Sequence, residues 1–181
     1  MRARLVRSPR DFARSGVAWA HEGSLLLGAM PHLRLHVPEE WLTEEFQHNT
    51  GFDARKLLDH LVQVVAGMRM PNPKKGEGQP DMVPMINLSN LKHGIIPLRY
   101  AHVGGDSSKR FLHVTLAAGN DTPGRTAEVR LKASHVLGDE VDRLTSGLPG
   151  LASVTVHVQD IDRDRGYSTT AERKKRREQK T

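Results

Sequence analysis

Four stretches of the chain are typical of β-strands, and in three of them hydrophobic and polar residues alternate as in a half-buried strand. The first stretch is PHLRLHV at 31–37, where three aliphatic residues alternate with His and Arg. The others are IIPLRYAHV at 95–103, RFLHVTLAAG at 110–119 and LASVTVHVQDI at 151–161. The pattern therefore predicts four strands.

A second pattern, with aliphatic residues three and four positions apart, predicts two helices. One is FDARKLLDHLVQVVAG at 52–67, with Asp53 in its first turn, and the other runs from about 126 to 145. The order along the chain is strand, helix, strand, repeated once. This order predicts the α+β (α/β-like) class, with two βαβ units forming a four-stranded mixed sheet that carries its helices on one face.

The segments outside this pattern divide the chain. Residues 68–93 include MPNPKKGEGQP and four prolines, which predicts an insertion or long loop. Residues 162–181 have almost no apolar content and predict a basic, disordered tail. We therefore expect an extension at 1–30, a domain at 31–161 and the tail.

Charge is distributed unevenly along these segments. The chain of 181 residues has a formal net charge of +6. Residues 1–30 hold five Arg against two acidic residues, 31–160 hold fourteen Lys and Arg against fifteen Asp and Glu, and 161–181 hold eight against four. A nearly neutral middle disfavours a folded basic face and nucleic-acid binding. Phosphate binding by the tail run ERKKRREQK stays open as an alternative.

Composition excludes several other kinds of site. There are no cysteines, so disulfides, thiol nucleophiles and thiolate metal sites are excluded. No apolar run approaches the eighteen residues that a membrane span needs, so we expect no membrane partner and a cytoplasmic protein. The histidines lack metal-ligand spacing, since His32 and His36 share a strand face but lie too far apart for one ion. We expect no metal.

Three stretches, MPHLRLHV at 30–37, GIIPL at 94–98 and FLHVTLAAGNDTPGRT at 111–126, together resemble the 5-carboxymethyl-2-hydroxymuconate isomerases of the tautomerase superfamily. The resemblance covers residues 30 to about 160 and is strong only in these three stretches; 68–93 and both termini depart from it. It implies a cofactor-independent isomerase of aromatic catabolism that assembles as a homotrimer. The implied substrate is an unsaturated 2-hydroxy or 2-oxo dicarboxylic acid.

The resemblance also implies that Pro31 is the catalytic base, as the amino-terminal residue after removal of Met30. A terminal amine has a pKa of about 7.7–8.0, near the pH at which general bases work best. An internal proline nitrogen is an amide without basicity. We therefore interpret 1–30 as sequence upstream of the true start at Met30, or as a segment removed by processing; an organelle transit peptide is the alternative. A structural Pro31 that only opens a strand is the competing interpretation.

Four more residues follow from the resemblance. Arg125 matches the arginine that binds a substrate carboxylate, and its alternative is a surface residue at a helix start. The position of the second family arginine is occupied by His102, with Arg99 three residues earlier, so either side chain is a candidate for substrate binding. His113 is expected to pack against the sheet or a trimer interface. A non-catalytic binding protein on the same fold is the alternative function.

Overall fold

The computed structural model describes residues 30–119 and 123–161, with Glu178. The predicted extension at 1–30, except Met30, and the predicted tail at 162–181, except Glu178, lie outside these described residues. The strands are β1 (His32–Pro38), β2 (Arg69–Pro71), β3 (Met82–Pro84), β4 (Lys92–Leu98), β5 (His102–Val103), β6 (Asp106–Gly119) and β7 (Leu151–Ile161). The helices are α1 (Glu44–Thr50), α2 (Ala54–Gly67) and α3 (Ala127–Thr145).

Two βαβ units form the main sheet. Strand β1 pairs in parallel with β4 after the crossover that contains α2, and β6 pairs in parallel with β7 after α3. The two units meet where β1 and β6 pair antiparallel, which gives the order β4–β1–β6–β7. Strand β5 pairs only with the beginning of β6. The predicted mixed sheet is therefore confirmed.

Alternation along the strands separates a core face from an open face. Leu33, Leu35 and Val37 of β1 are fully buried, and so are the matching residues of β6. Helices α2 and α3 cover this face, and their buried residues belong to the same hydrophobic cluster. On the opposite face, β1 carries His32, Arg34 and His36. Both helices therefore lie on one side of the sheet, as predicted.

Each long helix begins at a side-chain cap. Asp53 was expected in the first turn of a helix starting at residue 52, but it precedes the helix as its cap. Its carboxylate accepts hydrogen bonds from the N–H groups of Arg55 and Lys56 at 2.9 and 3.2 Å. The Thr126 hydroxyl accepts from the N–H of Val129 at 3.3 Å. These bonds satisfy N–H groups that have no partner inside a helix.

Three stretches differ from the prediction. Residues 39–52, which showed no periodic pattern, contain α1 and an aromatic cluster in which Trp41 stacks on Phe46 and meets Phe52 edge to face. The segment 68–93 is not an irregular loop throughout, because β2 and β3 pair as a hairpin. The predicted strand 95–103 starts earlier, at Lys92, and ends at Leu98, since the chain turns before β5.

None of the helices in the described ranges combines the length and the apolar character that crossing a membrane requires.

Candidate active site

One end of the sheet collects the start of β1 and the end of β6. The carbonyl oxygen of Pro31 accepts a hydrogen bond from the N–H of Lys92 at 2.9 Å, so the main chain is fixed before β1 begins. The next residue, His32, pairs with Lys92 of β4 and with Ala117 of β6. Pro31 is half-buried. It therefore lies between the first residue of β4 and the last residues of β6.

Arg125 lies at the same end of the sheet. Its Nη1 donates to the carbonyl oxygen of Gly119, two residues beyond Ala117. Its Nη2 donates to the carbonyl oxygen of Met85 at 3.1 Å. From the register, the guanidinium lies on the order of 10 Å from the Pro31 main chain. The Arg125 side chain thus joins the end of β6 to the residue after β3.

The loop that carries Arg125 is fastened to β7 by a second arginine. Arg130, in the first turn of α3, donates from Nη1 to the carbonyl oxygen of Arg125 at 2.9 Å and to Oδ2 of Asp160 at 2.6 Å. Asp160 pairs with Ala118 across β6 and β7. The Arg125 main chain is therefore held relative to the sheet by a charge-assisted hydrogen bond.

The hairpin β2–β3 packs against this loop at Gly124. Gly124 has a φ of +87°, and a Cβ placed there would lie 2.8 Å from the carbonyl oxygen of Pro71 and 3.3 Å from Cδ of Pro73. Only glycine combines that backbone conformation with such a close approach. The hairpin therefore forms a wall against the residue that precedes Arg125.

Positive charge surrounds the start of β1. Burial, and then the charges of Arg34 and Lys92, hold the pKa of the His32 ring below its usual value. The ring is therefore neutral at neutral pH and lies within the influence of the positive charges of Arg34 and Lys92. Such an environment attracts carboxylates and lowers the pKa of an amine placed in it.

Arg99 and His102 lie at the other end of the sheet. Arg99 follows Leu98, which pairs with Pro38 at the far end of β1, about 20 Å from its start. Its Nε lies 3.5 Å from a carboxylate oxygen of Glu39. Within one chain, Arg99 is therefore not brought together with Pro31.

His102 belongs to the same distant group. Its Nδ1 lies 3.0 Å from Nη1 of Arg110, and Arg110 also pairs with Glu40. Burial alone would raise the pKa of the Glu40 carboxyl, but the hydrogen bond from Arg110 brings it below its usual value. Within one chain, His102 is therefore not brought together with Pro31 either.

His113 lies on the open face of the sheet. Its ring centroid is 5.3 Å from that of His36, and its Nε2 is joined to the Thr115 hydroxyl at 2.9 Å. Burial and then the charge of His157 lower its pKa, and burial followed by the charges of His113 and Arg34 lowers the pKa of His36. The His36 and His113 rings on this face are therefore neutral at neutral pH.

Sequence reasoning missed Lys92. Its place beside Pro31 follows only from the parallel register of β1 and β4, in which the start of one strand meets the start of the other. The available signal was the motif GIIPL, whose strand extends two residues further toward the amino terminus. In the described ranges, no three His, Asp or Glu side chains are grouped as metal ligands.

Solved structures with a similar fold were found. A 5-carboxymethyl-2-hydroxymuconate delta-isomerase superposes with a TM-score of 0.55 at 12% sequence identity, over 81% of this chain and 92% of that chain. A 5-carboxymethyl-2-hydroxymuconate isomerase from Deinococcus radiodurans R1 gives 0.50 at 16% identity, over 78% and 90%. No protein-family model and no curated protein matches the chain. These similarities confirm that the chain has the tautomerase fold expected from its motifs.

Proposed function

We propose that the protein is a cofactor-independent isomerase that moves a proton on an unsaturated 2-hydroxy or 2-oxo dicarboxylic acid, with Pro31 as the base. The observation that carries the proposal is the register at the start of β1, where His32 pairs with both Lys92 and Ala117. Pro31 is thereby close to a cation at the start of β4 and to Arg125 at the end of β6. The likeness in fold to two muconate isomerases agrees with this chemistry.

The reaction requires a neutral amine at Pro31. The amine takes a proton from a carbon conjugated to the substrate carbonyl, which leaves a dienolate. The same proton, now on the proline nitrogen, returns to a different carbon of the conjugated system. Nearby cations stabilise the dienolate oxygen and favour the neutral amine, because they disfavour a further positive charge.

The same chemistry requires a free Pro31 nitrogen, so we propose that the active chain begins at this residue, through initiation at Met30 or through processing. The test compares the chain starting at Pro31 with the same chain carrying one added glycine before the proline. The added residue turns the amine into an amide and is expected to lower kcat/KM by about 10²–10⁴-fold. Ultraviolet absorbance of a 2-hydroxymuconate measures the rate. Equal rates in the two chains would refute the proline mechanism.

Lys92 is proposed as a cation that binds a substrate carboxylate and lowers the pKa of the amine. Lys92→Met is therefore expected to raise KM and to move the acidic limb of the kcat/KM profile to higher pH. Lys109→Met is the matched control, because Lys109 is an exposed lysine toward the opposite end of β6, where it pairs with Asp106 at 3.4 Å. A profile that moves equally in both variants would exclude this role.

Arg125 and the pair Arg99 and His102 are proposed to bind the substrate from two different copies of the chain. The open face of the sheet needs a partner to be buried, and a homotrimer is the assembly that the family resemblance implies. Mixing chains that carry Arg99→Ala with chains that carry the added glycine should restore activity, since some sites then combine an intact proline with an intact arginine. An Arg99→Ala chain that is fully active by itself would argue against shared sites.

A non-catalytic binding protein is the second candidate. The observation in its favour is that Nη1 and Nη2 of Arg125 both donate to main-chain carbonyl oxygens, as in a structural arginine. This function predicts that a dicarboxylate binds equally to the chain starting at Pro31 and to the chain with the added glycine, and that neither turns it over. Nucleic-acid association through residues 162–181 concerns a segment outside the described residues; deleting it should abolish such binding and leave isomerase activity intact.

A further inference from the structure

A cleft of about 630 Å³ lies between the end of α2, the hairpin β2–β3 and the first half of α3. Its walls are mainly aliphatic and thioether side chains: Val64, Met68, Met82, Met85, Val129 and Val136. Pro31 is not among the residues that line it. The cleft therefore has its own lining, distinct from the proposed base.

Part of this apolar lining faces solvent. Met82 is 48% exposed and Val136 is 39% exposed, whereas Met85, which lines the same cleft, is buried. Exposed aliphatic surface inside a concave site is stabilised by an apolar ligand. Methionine side chains adapt their shape to such a ligand.

The polar residues of the cleft indicate the sign of charge that the ligand carries. Arg69 donates from Nη1 to the carbonyl oxygens of Ala66 and Met68, which holds its guanidinium at the end of α2. Lys132 lies on the α3 side, is exposed and forms no ion pair with the described residues. Against these two cations the lining contains one carboxylate, that of Glu128. An anionic group is therefore favoured at the edge of the cleft.

We infer that this cleft binds a small amphipathic carboxylic acid, with its aliphatic body against the methionines and valines and its carboxylate beside Lys132. The volume falls within the range of about 300–1,000 Å³ that is typical of small-molecule sites. A stable contact with another protein would bury about 800 Å² on each partner, which is more than the lining of this cleft presents. The inference goes beyond the proposed isomerase function and does not depend on Pro31.

Decanoate is the probe, and decan-1-ol is its neutral counterpart. The assay follows the methionine methyl groups of the full chain by NMR after labelling with ¹³C. Saturable shifts are expected for Met68, Met82 and Met85, with Met70, which is buried outside the cleft, as the internal control. Failure of the three cleft methyls to respond to decanoate would overturn the inference.

Substitutions test the apolar body and the charge separately. Val136→Glu places a carboxylate in the cleft and should lower the affinity for decanoate at least tenfold. Leu131→Glu, at an exposed position of the same helix outside the cleft, should leave that affinity unchanged. Lys132→Met should lower the affinity for decanoate by about three- to fivefold and leave the affinity for decan-1-ol unchanged. Equal effects of the two glutamate variants, or no effect of Lys132→Met, would contradict the assignment.

Two other occupants give different outcomes. If dilution of the ligand-free protein moves the same three methyls, the cleft is a contact between copies of the chain. If Leu26→Asp, in the segment before Pro31, moves them without ligand, the chain fills its own cleft. Either result would overturn the proposal of a small-molecule site.

Discussion

Replacing Gly124 by alanine tests whether the hairpin β2–β3 holds the loop that carries Arg125. The new methyl group would meet the Pro71 carbonyl oxygen at 2.8 Å, closer than a Cβ approaches an oxygen in real proteins. Because the neighbouring atom belongs to the backbone, either the hairpin or the loop has to move. Stability and the position of Arg125 should therefore change together.

The expected loss has two parts. A residue with a Cβ at a φ of +87° costs about 1–2 kcal/mol. Forcing a methyl group into a filled space costs about 1–3 kcal/mol more. Gly124→Ala is therefore expected to lower the free energy of unfolding by about 2–5 kcal/mol.

Gly147 separates the two contributions. Its φ is +85°, but a Cβ there would have no neighbour within 4 Å. Gly147→Ala should therefore cost only the backbone part, about 1–2 kcal/mol. Urea unfolding followed by circular dichroism gives both values, provided that the dependence on urea is the same in the two variants. Equal losses would refute the argument that the hairpin presses on the loop.

Gly150 provides a control for location. Its φ is +77°, and a Cβ would lie 2.9 Å from the carbonyl oxygen of Ser108, at the opposite end of the sheet. Gly150→Ala should destabilise the protein about as much as Gly124→Ala. Only the change at Gly124 should shift the guanidinium NMR signals of Arg125. A shift in both variants, or in neither, would contradict the account of how that side chain is positioned.

Three further predictions concern folding stability. Asp53→Ala should lower the free energy of unfolding, measured with urea, by about 1 kcal/mol, because α2 loses its cap. Asp53→Asn should retain most of the stability, and an equal loss in both variants would contradict the capping role. Leu61→Ala, at a fully buried position of α2, should cost about 2–5 kcal/mol, and a loss below 1 kcal/mol would contradict its place in the core. Stability should also fall as the pH drops below about 6.5, since burial lowers the pKa of His32, His36 and His113, and the unfolded chain then binds more protons than the folded one. The urea midpoint at pH 7.5 and 5.5 should differ less in a variant with glutamine at His36 and His113, and an unchanged difference would count against this cause.

The regular elements could be predicted because their patterns are long. Strand β7 has eleven residues and alternates around Val154, Val156 and Val158, and α2 presents its aliphatic residues on one stripe. In both elements the sequence pattern agrees with the packing. Helix α1 was missed because it has seven residues and none of them is buried. Its stabilising contacts come from Trp41 and Phe52, which lie outside the helix.

The candidate site was only partly accessible to sequence reasoning. Pro31 and Arg125 were proposed from motifs, and their proximity in the structure depends on the antiparallel pairing of β1 with β6. The distance of Arg99 from Pro31 depends on the parallel pairing of β1 with β4, which places the end of one strand beside the end of the other. The hairpin β2–β3 was hidden by its prolines, which stand at the ends of both strands.

The measurement that tests the central claim most directly is the identity of the amino-terminal residue in protein isolated from its native cells, by intact mass and terminal sequencing. The account predicts Pro31 at the terminus, with an amine that is free to accept a proton. A chain that retains any residue before Pro31 and still isomerises a 2-hydroxymuconate would contradict the claim that this nitrogen is the base.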